Sequence, residues 1–419
     1  MKVLYDIATL GLGYYHRQAR AGIFRVVENV ARALVQSGEC EIYFSAVNSV
    51  TEMMASAKYL SLSKEFATIP FRLHGSRKAL ALATRLHPTP GGGVLPNTWL
   101  KVLRIVAKRT GLLFPGIDAD MMSGIDIFHS TFAPLYRTDG LPSQIRRFIT
   151  VYDIIPILHP EYFECKEDHV LHDVVRSIQP DDFVLAISQA TKHDLCEYSG
   201  INPDQVFVTP LAASDSFYHC SNPDELRSVR EKYRIPDCPY VLSLSTLEPR
   251  KNIAQTIRCF TRLVKESGIS DLNLVLVGTK GWDYGTIFDE MTASASVRNR
   301  IILTGYVADE DLAAVYSGAL MFVYPSFYEG FGLPPLEAMR CGVPVITSNT
   351  SSLPEVVGDA GIMIDPTDSD ALCQGMLDIY TNTTIRQKMI QRSLERASLF
   401  SWKQCAQDMI AAYHMAIKS

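Results

Sequence analysis

A chain of 419 residues, 47% apolar and 20% charged, has room for two or three domains and can bury a core without disulfide staples. Its net charge of −5 is too small to point to a nucleic-acid partner, and its nine cysteines, an odd number with no C-x-x-C pair, argue against a disulfide framework or a structural zinc site. The opening MKVLYDIATLGLG lacks the apolar core and cleavage site of a signal peptide, and no run of about 18 apolar residues follows, so a soluble, cytoplasmic protein is expected.

In chain order, the first half reads as six short apolar runs: Lys2–Ile7, Glu41–Val47, Ile125–Phe128, Arg147–Val151, Phe183–Ile187 and Val206–Pro210. Five more follow at Tyr240–Ser245, Leu272–Gly278, Arg300–Thr304, Met321–Tyr324 and Val343–Thr347. Many are near-continuous Val, Ile, Leu and Phe, the composition of strands covered on both faces. Between them, Ile253, Ile257, Phe260 and Val264 share one helical face, as do Leu312, Val315 and Tyr316. Alternating β and α predicts an α/β chain of parallel sheets with helices on both sides, in two doubly wound domains. We place the boundary near Phe217, before the polar stretch Ser221–Arg234, giving domains 1–217 and 218–398. The last segment, 399–419, reads as an amphipathic helix carrying Trp402.

Residues 71–117 stand apart. They hold eight Lys or Arg (72, 77, 78, 85, 101, 104, 108 and 109) and no acid, with PTPGGG at 88–93 as a break. NTWLKVLRIVAKRTGLLF then mixes apolar and basic residues at helical spacing. Such a stretch is either an ordinary cover for core surface or a face for an anionic membrane or lipid-diphosphate acceptor.

Two loops carry the chemistry. Glu248-Pro249-Arg250-Lys251-Asn252 follows the strand YVLSLS and precedes a helix, with Pro249 barring helix before it and Asn252 a suitable N-cap. Arg250 and Lys251 therefore sit at a strand's C-terminal end, where doubly wound sheets bind ligands and helix N-termini attract phosphate. Two fixed cations there suit a diphosphate, unless the turn is simply solvated. The second loop, SFYEGFGLPPLE (326–337), follows MFVYP. Gly330 and Gly332 allow close backbone approach to a ligand, and Pro334 and Pro335 suit the first turn of a helix. Glu329 then lies in the loop, able to accept from sugar hydroxyls. Glu337 lies a turn into the helix, able to accept from a ribose diol or merely to stabilise the helix dipole.

These stretches, STLEPRKN (245–252), GYVADEDLAAVYSGA (305–319), PSFYEGFGLPPLEAMRCGVPVITSN (325–349) and SSLPEVVGDAG (351–361), resemble the retaining GT-B glycosyltransferases of family 4. Glu329 and Glu337 match that family's E-x7-E pattern. The first half is similar more loosely, through AGIFRVVENVARAL (21–34), YDIIPILHPEYF (152–163) and ISQATKHDL (187–195). The resemblance implies a GT-B fold, two facing Rossmann-like domains with the acceptor domain first, the donor domain second, and a closing helix crossing back. The donor is expected in the cleft, under helix N-termini of both domains, with closure completing the site.

The resemblance also implies roles. Arg250 and Lys251 bind the donor diphosphate. Glu329, with the loop Gly330, Phe331, Gly332 and Leu333, holds the hexose through backbone N–H groups of Phe331 and Gly332. Glu337 binds the ribose, backbone around Tyr306 and Val307 meets the base, and Gly22 approaches the diphosphate. Asp153 is an acceptor-side candidate, with a helix or turn cap as its plain alternative. No cofactor or metal is expected, because Arg and Lys replace the metal, and the leaving phosphate helps deprotonate the acceptor hydroxyl. The implied function is transfer of a hexose from a nucleotide sugar to a glycan or lipid-linked acceptor in polysaccharide biosynthesis. UDP-hexose (UDP-glucose or UDP-GlcNAc) is the first choice of donor. The alternatives are a GDP-mannose-dependent mannosyltransferase, a nucleotide-sugar epimerase of the same fold, or an inactive scaffold. The expected place is the cytoplasm, peripherally at the inner membrane face through 71–117.

Two positions depart from the family pattern: Ser245 stands where many members have Arg, and Tyr152 where many have His. Competing signals are weak. Gly11-Leu-Gly13 begins a dinucleotide fingerprint that His16 breaks, and the acid pairs Asp118/Asp120 and Asp368/Asp370 lack a strand-end setting.

Overall fold

The computed structural model describes every residue except 16–21, 87–104, 106–111, 136–143, 164–168 and 284. Two parallel six-stranded sheets form the molecule. The first contains β1 (Lys2–Asp6), β2 (Glu41–Ser45), β3 (Ile127–Ser130), β4 (Arg146–Val151), β5 (Phe183–Ala186) and β6 (Val206–Val208), in the order β2-β1-β3-β4-β5-β6. The second contains β7 (Tyr240–Leu244), β8 (Asn273–Val277), β9 (Ile301–Gly305), β10 (Met321–Tyr324), β11 (Val345–Ser348) and β12 (Ile362–Ile364), in the order β12-β11-β10-β7-β8-β9. All eleven expected strands are present. The twelfth, β12, was not expected: it is a three-residue edge strand whose central Met363 faces solvent.

The strand order fixes where a ligand can sit. From β7 the chain winds one way through β8 and β9, then returns to β7's other side with β10, where Phe322 pairs with Leu242. Neighbouring connections leave in opposite directions at β7 and β10, so a crevice opens beyond their carboxyl ends. The two chemistry-bearing loops follow these two strands. Ile253, Ile257, Phe260 and Val264 turn inward from the helix Ile253–Glu266 as their spacing requires, and Leu312, Val315 and Tyr316 do so from Asp309–Ser317.

The closing helix Trp402–Lys418 packs against the helix Ile23–Ser37 and β6 of the first sheet. Tyr413 Oη lies 2.6 Å from His129 Nδ1, and His129 Nε2 lies 2.8 Å from Thr150 Oγ1. Burial pushes His129 down to about 3, so it stays neutral and serves as a buried polar cross-link.

The acid pairs resolve as helix caps. Asp118 Oδ1 accepts from Met121 N, and Asp368 Oδ1 accepts from the N–H groups of Asp370 and Ala371. Of the basic stretch, PTPGGG and most of NTWLKVLRIVAKRTGLLF lie outside the described residues. Arg72 is structural: its Nη1 donates to the carbonyls of Met121 and Ser123, and its guanidinium lies 4.1 Å from the centre of the Tyr43 ring. Among the described residues no helix is long and apolar enough to cross a membrane.

Candidate active site

The loop after β7 makes a single 3-10 turn, Pro249–Lys251, and hands over to the next helix at Asn252. Asn252 stands in the N-cap position but does not cap with its side chain. Its backbone is left-handed (φ 55°), and its Nδ2 donates to the carbonyls of Pro325 and Pro366, 3.1 and 2.8 Å away. The side chain thus ties the cation loop to the end of β10, which fixes Arg250 and Lys251 against the second loop.

There the two cations meet Glu329. Lys251 Nζ donates to Glu329 Oε1 at 2.6 Å and to Tyr324 Oη at 2.9 Å. Arg250 Nη1 donates to Glu329 Oε2 at 2.9 Å and to the Tyr328 carbonyl at 2.6 Å, while Nη2 donates to Glu248 Oε1 at 3.0 Å. Tyr324 and Ser326 add hydroxyl bonds to Glu329 Oε1 at 2.8 and 2.6 Å. Lys251 and Glu329 are each only 8% exposed, so this is a buried charge cluster and not a solvated basic turn. Burial alone would raise the Glu329 carboxyl, but Arg250 and Lys251 overcome it and hold it down at about 2. Burial also lowers the Lys251 ammonium, against the pull of Glu329. For Arg250, burial opposes the charge, but Glu329, Tyr324 and Glu248 prevail and keep it firmly protonated.

Glu337, 7% exposed, projects from the helix Leu333–Arg340. Its Oε2 accepts from Tyr316 Oη at 3.0 Å; Oε1 accepts no hydrogen bond among the described residues and lies 3.9 Å from Arg25 Nη1. Burial raises its carboxyl to about 7, with Arg25 the main opposing influence. Gly332 needs its glycine, since its φ is 114° at the head of this helix. Gly330 needs it for a different reason from the one expected. A Cβ there would meet the Tyr152 carbonyl at 2.5 Å, so its missing side chain makes room for the other domain and not only for a ligand. Phe331 is buried edge-on to Phe400, and Leu333 opens the helix.

Asp153 comes to this same place from β4. Its Oδ1 accepts from Ile155 N at 3.1 Å, a local cap, while its other oxygen faces Gly330. Burial raises its carboxyl, with the Ile155 N–H and then Arg250 opposing. A cavity of about 200 Å³ opens beside it, lined by Thr150, Tyr152, Phe163, His169 and Arg250 among others. Tyr152 is largely buried against Phe132, with Cys405 close enough to raise its phenol further. Ser245 is buried with its hydroxyl unpartnered among the described residues. A larger cavity, about 690 Å³, lies between the helices Ile23–Ser37 and Trp402–Lys418 and shares no lining residue with the cation loop.

Tyr306 is 63% exposed beyond β9, whereas the Val307 side chain joins the core. Gly22 heads the helix Ile23–Ser37 with φ 57° and open space where a Cβ would be. One helix N-terminus at the cleft is already occupied. The start of Gln189–Ser199 is taken by Glu355 of the second domain, whose oxygens accept from Gln189 N and Ala190 N at 2.9 and 3.0 Å. Ser188 Oγ also donates to the Gly330 carbonyl, Tyr328 Oη donates to Asp194, and Tyr162 stacks on Phe327. These contacts join the two domains around the site. Sequence reasoning did not pick out Arg25, Asp194 or Glu355, because each acts on a partner far away in the chain, nor Tyr324 and Ser326, whose hydroxyls turn toward the nearby Glu329 only in the folded loop.

Two doubly wound sheets facing across a cleft, with a buried cation pair at the switch point of the second, define the GT-B glycosyltransferase class. Residues 227–396 match the family model of glycosyl transferases group 1. Over 283 residues, 66% of this chain and 72% of the relative, the sequence is 37% identical to an Escherichia coli protein named O-antigen chain mannosyltransferase B. It is 31% identical to the serotype-specific mannosyltransferase WbdA of Escherichia coli over 64% of this chain, and spans only 33% of that longer protein. Sucrose-phosphate synthase from Thermosynechococcus elongatus shares the fold, with a TM-score of 0.67 at 18% identity over 99% of this chain and 98% of that one. The chain belongs to the glycosyl transferases group 1 family, and it is a glycosyltransferase.

Proposed function

We propose that this chain is a retaining, metal-independent mannosyltransferase that takes GDP-mannose and extends an O-antigen-type glycan on a lipid carrier. The observation that carries the chemistry is the buried Arg250–Lys251 pair, held at the switch point and already charge-compensated by Glu329. Two permanently placed cations supply the charge stabilisation that a leaving diphosphate needs. On donor binding, the diphosphate takes up N–H donors of Arg250 and Lys251, and Glu329 shares its oxygens with hexose hydroxyls. Phe331, Gly332 and Leu333 flank the hexose, Glu337 accepts from the ribose, Tyr306 lies toward the base and Gly22 toward the diphosphate. The acceptor enters beside Asp153, and the departing phosphate oxygen takes its proton. Mannose is preferred over the UDP-hexose expected first, because the two Escherichia coli sequence relatives are named mannosyltransferases.

The test is thermal unfolding with a panel of nucleotide sugars in EDTA. At about 100 times its Kd a ligand adds roughly 2.7 kcal/mol, a shift of several degrees. GDP-mannose is expected to raise the midpoint without metal, and UDP-glucose is not. A shift with UDP-glucose alone would overturn the donor, and a shift that requires Mg²⁺ would overturn metal independence.

The lipid-linked acceptor gives the basic stretch a role. On the helix Arg77–Leu86, Arg77, Lys78 and Arg85 are exposed together with Leu82, and Phe114 is exposed nearby in sequence. We assign this face to peripheral contact with anionic membrane. The protein should float with anionic vesicles at low salt and release as salt rises; failure to float at low salt removes the assignment.

A further inference from the structure

Arg25 is the third residue of the helix Ile23–Ser37, immediately after Gly22. A cation in a first turn works against the helix dipole, and this helix has no acid there to offset it. Its placement therefore needs another reason. The guanidinium crosses the cleft and forks: Nη2 pairs with Asp309, and Nη1 points at Glu337 Oε1, 3.9 Å away. Asp309 is half exposed, so this pair contributes little to stability by itself. It does fix the direction of the fork. Asp309 also begins the helix that directly follows Tyr306 and Val307, the loop assigned to the base. Tyr316 occupies the far oxygen of Glu337, so among the described residues the oxygen turned toward Arg25 is the one left to accept.

We propose that Arg25 completes the nucleotide site from the other domain: anchored on Asp309, it positions the Glu337 carboxylate for the ribose hydroxyls of the donor. The inference rests on the reading of Glu337 as the ribose acceptor. It makes the donor site a joint product of both domains, because without the first domain Glu337 would lose the cation that faces it among the described residues. Among the described residues the groups that face Glu337 are Arg25, Tyr316, Asp309 and Cys341. Only Arg25 among them favours the anion by charge; Tyr316 favours it by its hydrogen bond, and Asp309 opposes it.

The experiment is GDP-mannose binding by calorimetry between about pH 5.5 and 8.5, where the diphosphate diester keeps its charge. Wild type, Arg25→Met, Arg25→Lys and Glu337→Gln are compared, with donor KM and kcat measured alongside. Wild-type affinity should rise with pH through about 7, where Glu337 is half ionised, and level off about one unit above. In Arg25→Met the affinity at neutral pH should fall about tenfold, and the rise should move upward by about one pH unit. KM for the donor should rise far more than kcat falls, and Arg25→Lys should recover most of the loss. Glu337→Gln should bind weakly with a flat profile. An Arg25→Met profile that superposes on wild type while Glu337→Gln is weak overturns the role of Arg25 alone. A Glu337→Gln protein that binds like wild type overturns the ribose reading itself.

Discussion

Lys251→Ala is expected to lower transfer from GDP-mannose by about a hundredfold or more, the scale of losing one charge-stabilising group in a water-excluded site. Lys251 Nζ is held by Glu329 and Tyr324, and its burial depresses the ammonium. That depression matters for the chemistry: a cation short of solvent gains more from an incoming phosphate than a solvated one does. If the charge acts on the leaving diphosphate, the loss falls on kcat. If it acts only on bound donor, KM rises and kcat is spared. The variant should fold, with a lowered midpoint, because Glu329 keeps Arg250, Tyr324 and Ser326 as partners, and a single cooperative unfolding transition checks this. Near-wild-type turnover would remove Lys251 from the diphosphate site.

The fold was legible because parallel strands buried on both faces announce themselves as apolar runs. β12 was not, since an edge strand of three residues with one side chain in water has no such run. The resemblance supplied Arg250, Lys251, Glu329 and Glu337, but not their arrangement. Arg250 and Glu329 are 79 positions apart and meet only because β7 and β10 are neighbours. Local rules misled where a distant partner outweighs them. Asn252 reads as a cap, yet its amide bridges the carbonyls of the buried Pro325 and Pro366 instead. Gly330 reads as room for a ligand, yet the nearest atom is the other domain's carbonyl. Arg25 did leave a signal, a lone cation in the first turn of an amphipathic helix. Its meaning needed the opposite wall of the cleft.

Glu329→Gln carries the second large effect, and it separates structure from catalysis. Breaking a buried ion pair on one side costs about 3 kcal/mol or more, which for a domain of this size lowers the unfolding midpoint by roughly 6 °C or more. Lys251 can shed part of that cost by losing its proton, but Arg250 cannot. The pH dependence has a definite sign. Glu329 falls from an ordinary 4.5 to about 2 on folding, so its contribution is complete above 4.5 and is lost as pH falls through about 2. The difference between wild type and Glu329→Gln should therefore stay constant from neutral pH down to 4.5 and shrink below it, as read by denaturant unfolding at each pH. GDP should still bind the variant and raise its midpoint at least as much as it raises that of wild type, because the diphosphate restores an anion to Lys251 and to the Arg250 nitrogen that Glu248 does not pair. GDP-mannose should no longer bind better than GDP, since the hexose has lost a charged acceptor and one of its two oxygens. A variant that keeps its preference for GDP-mannose would leave Glu329 as the counter-ion of Arg250 and Lys251 and move hexose recognition to other residues of the loop.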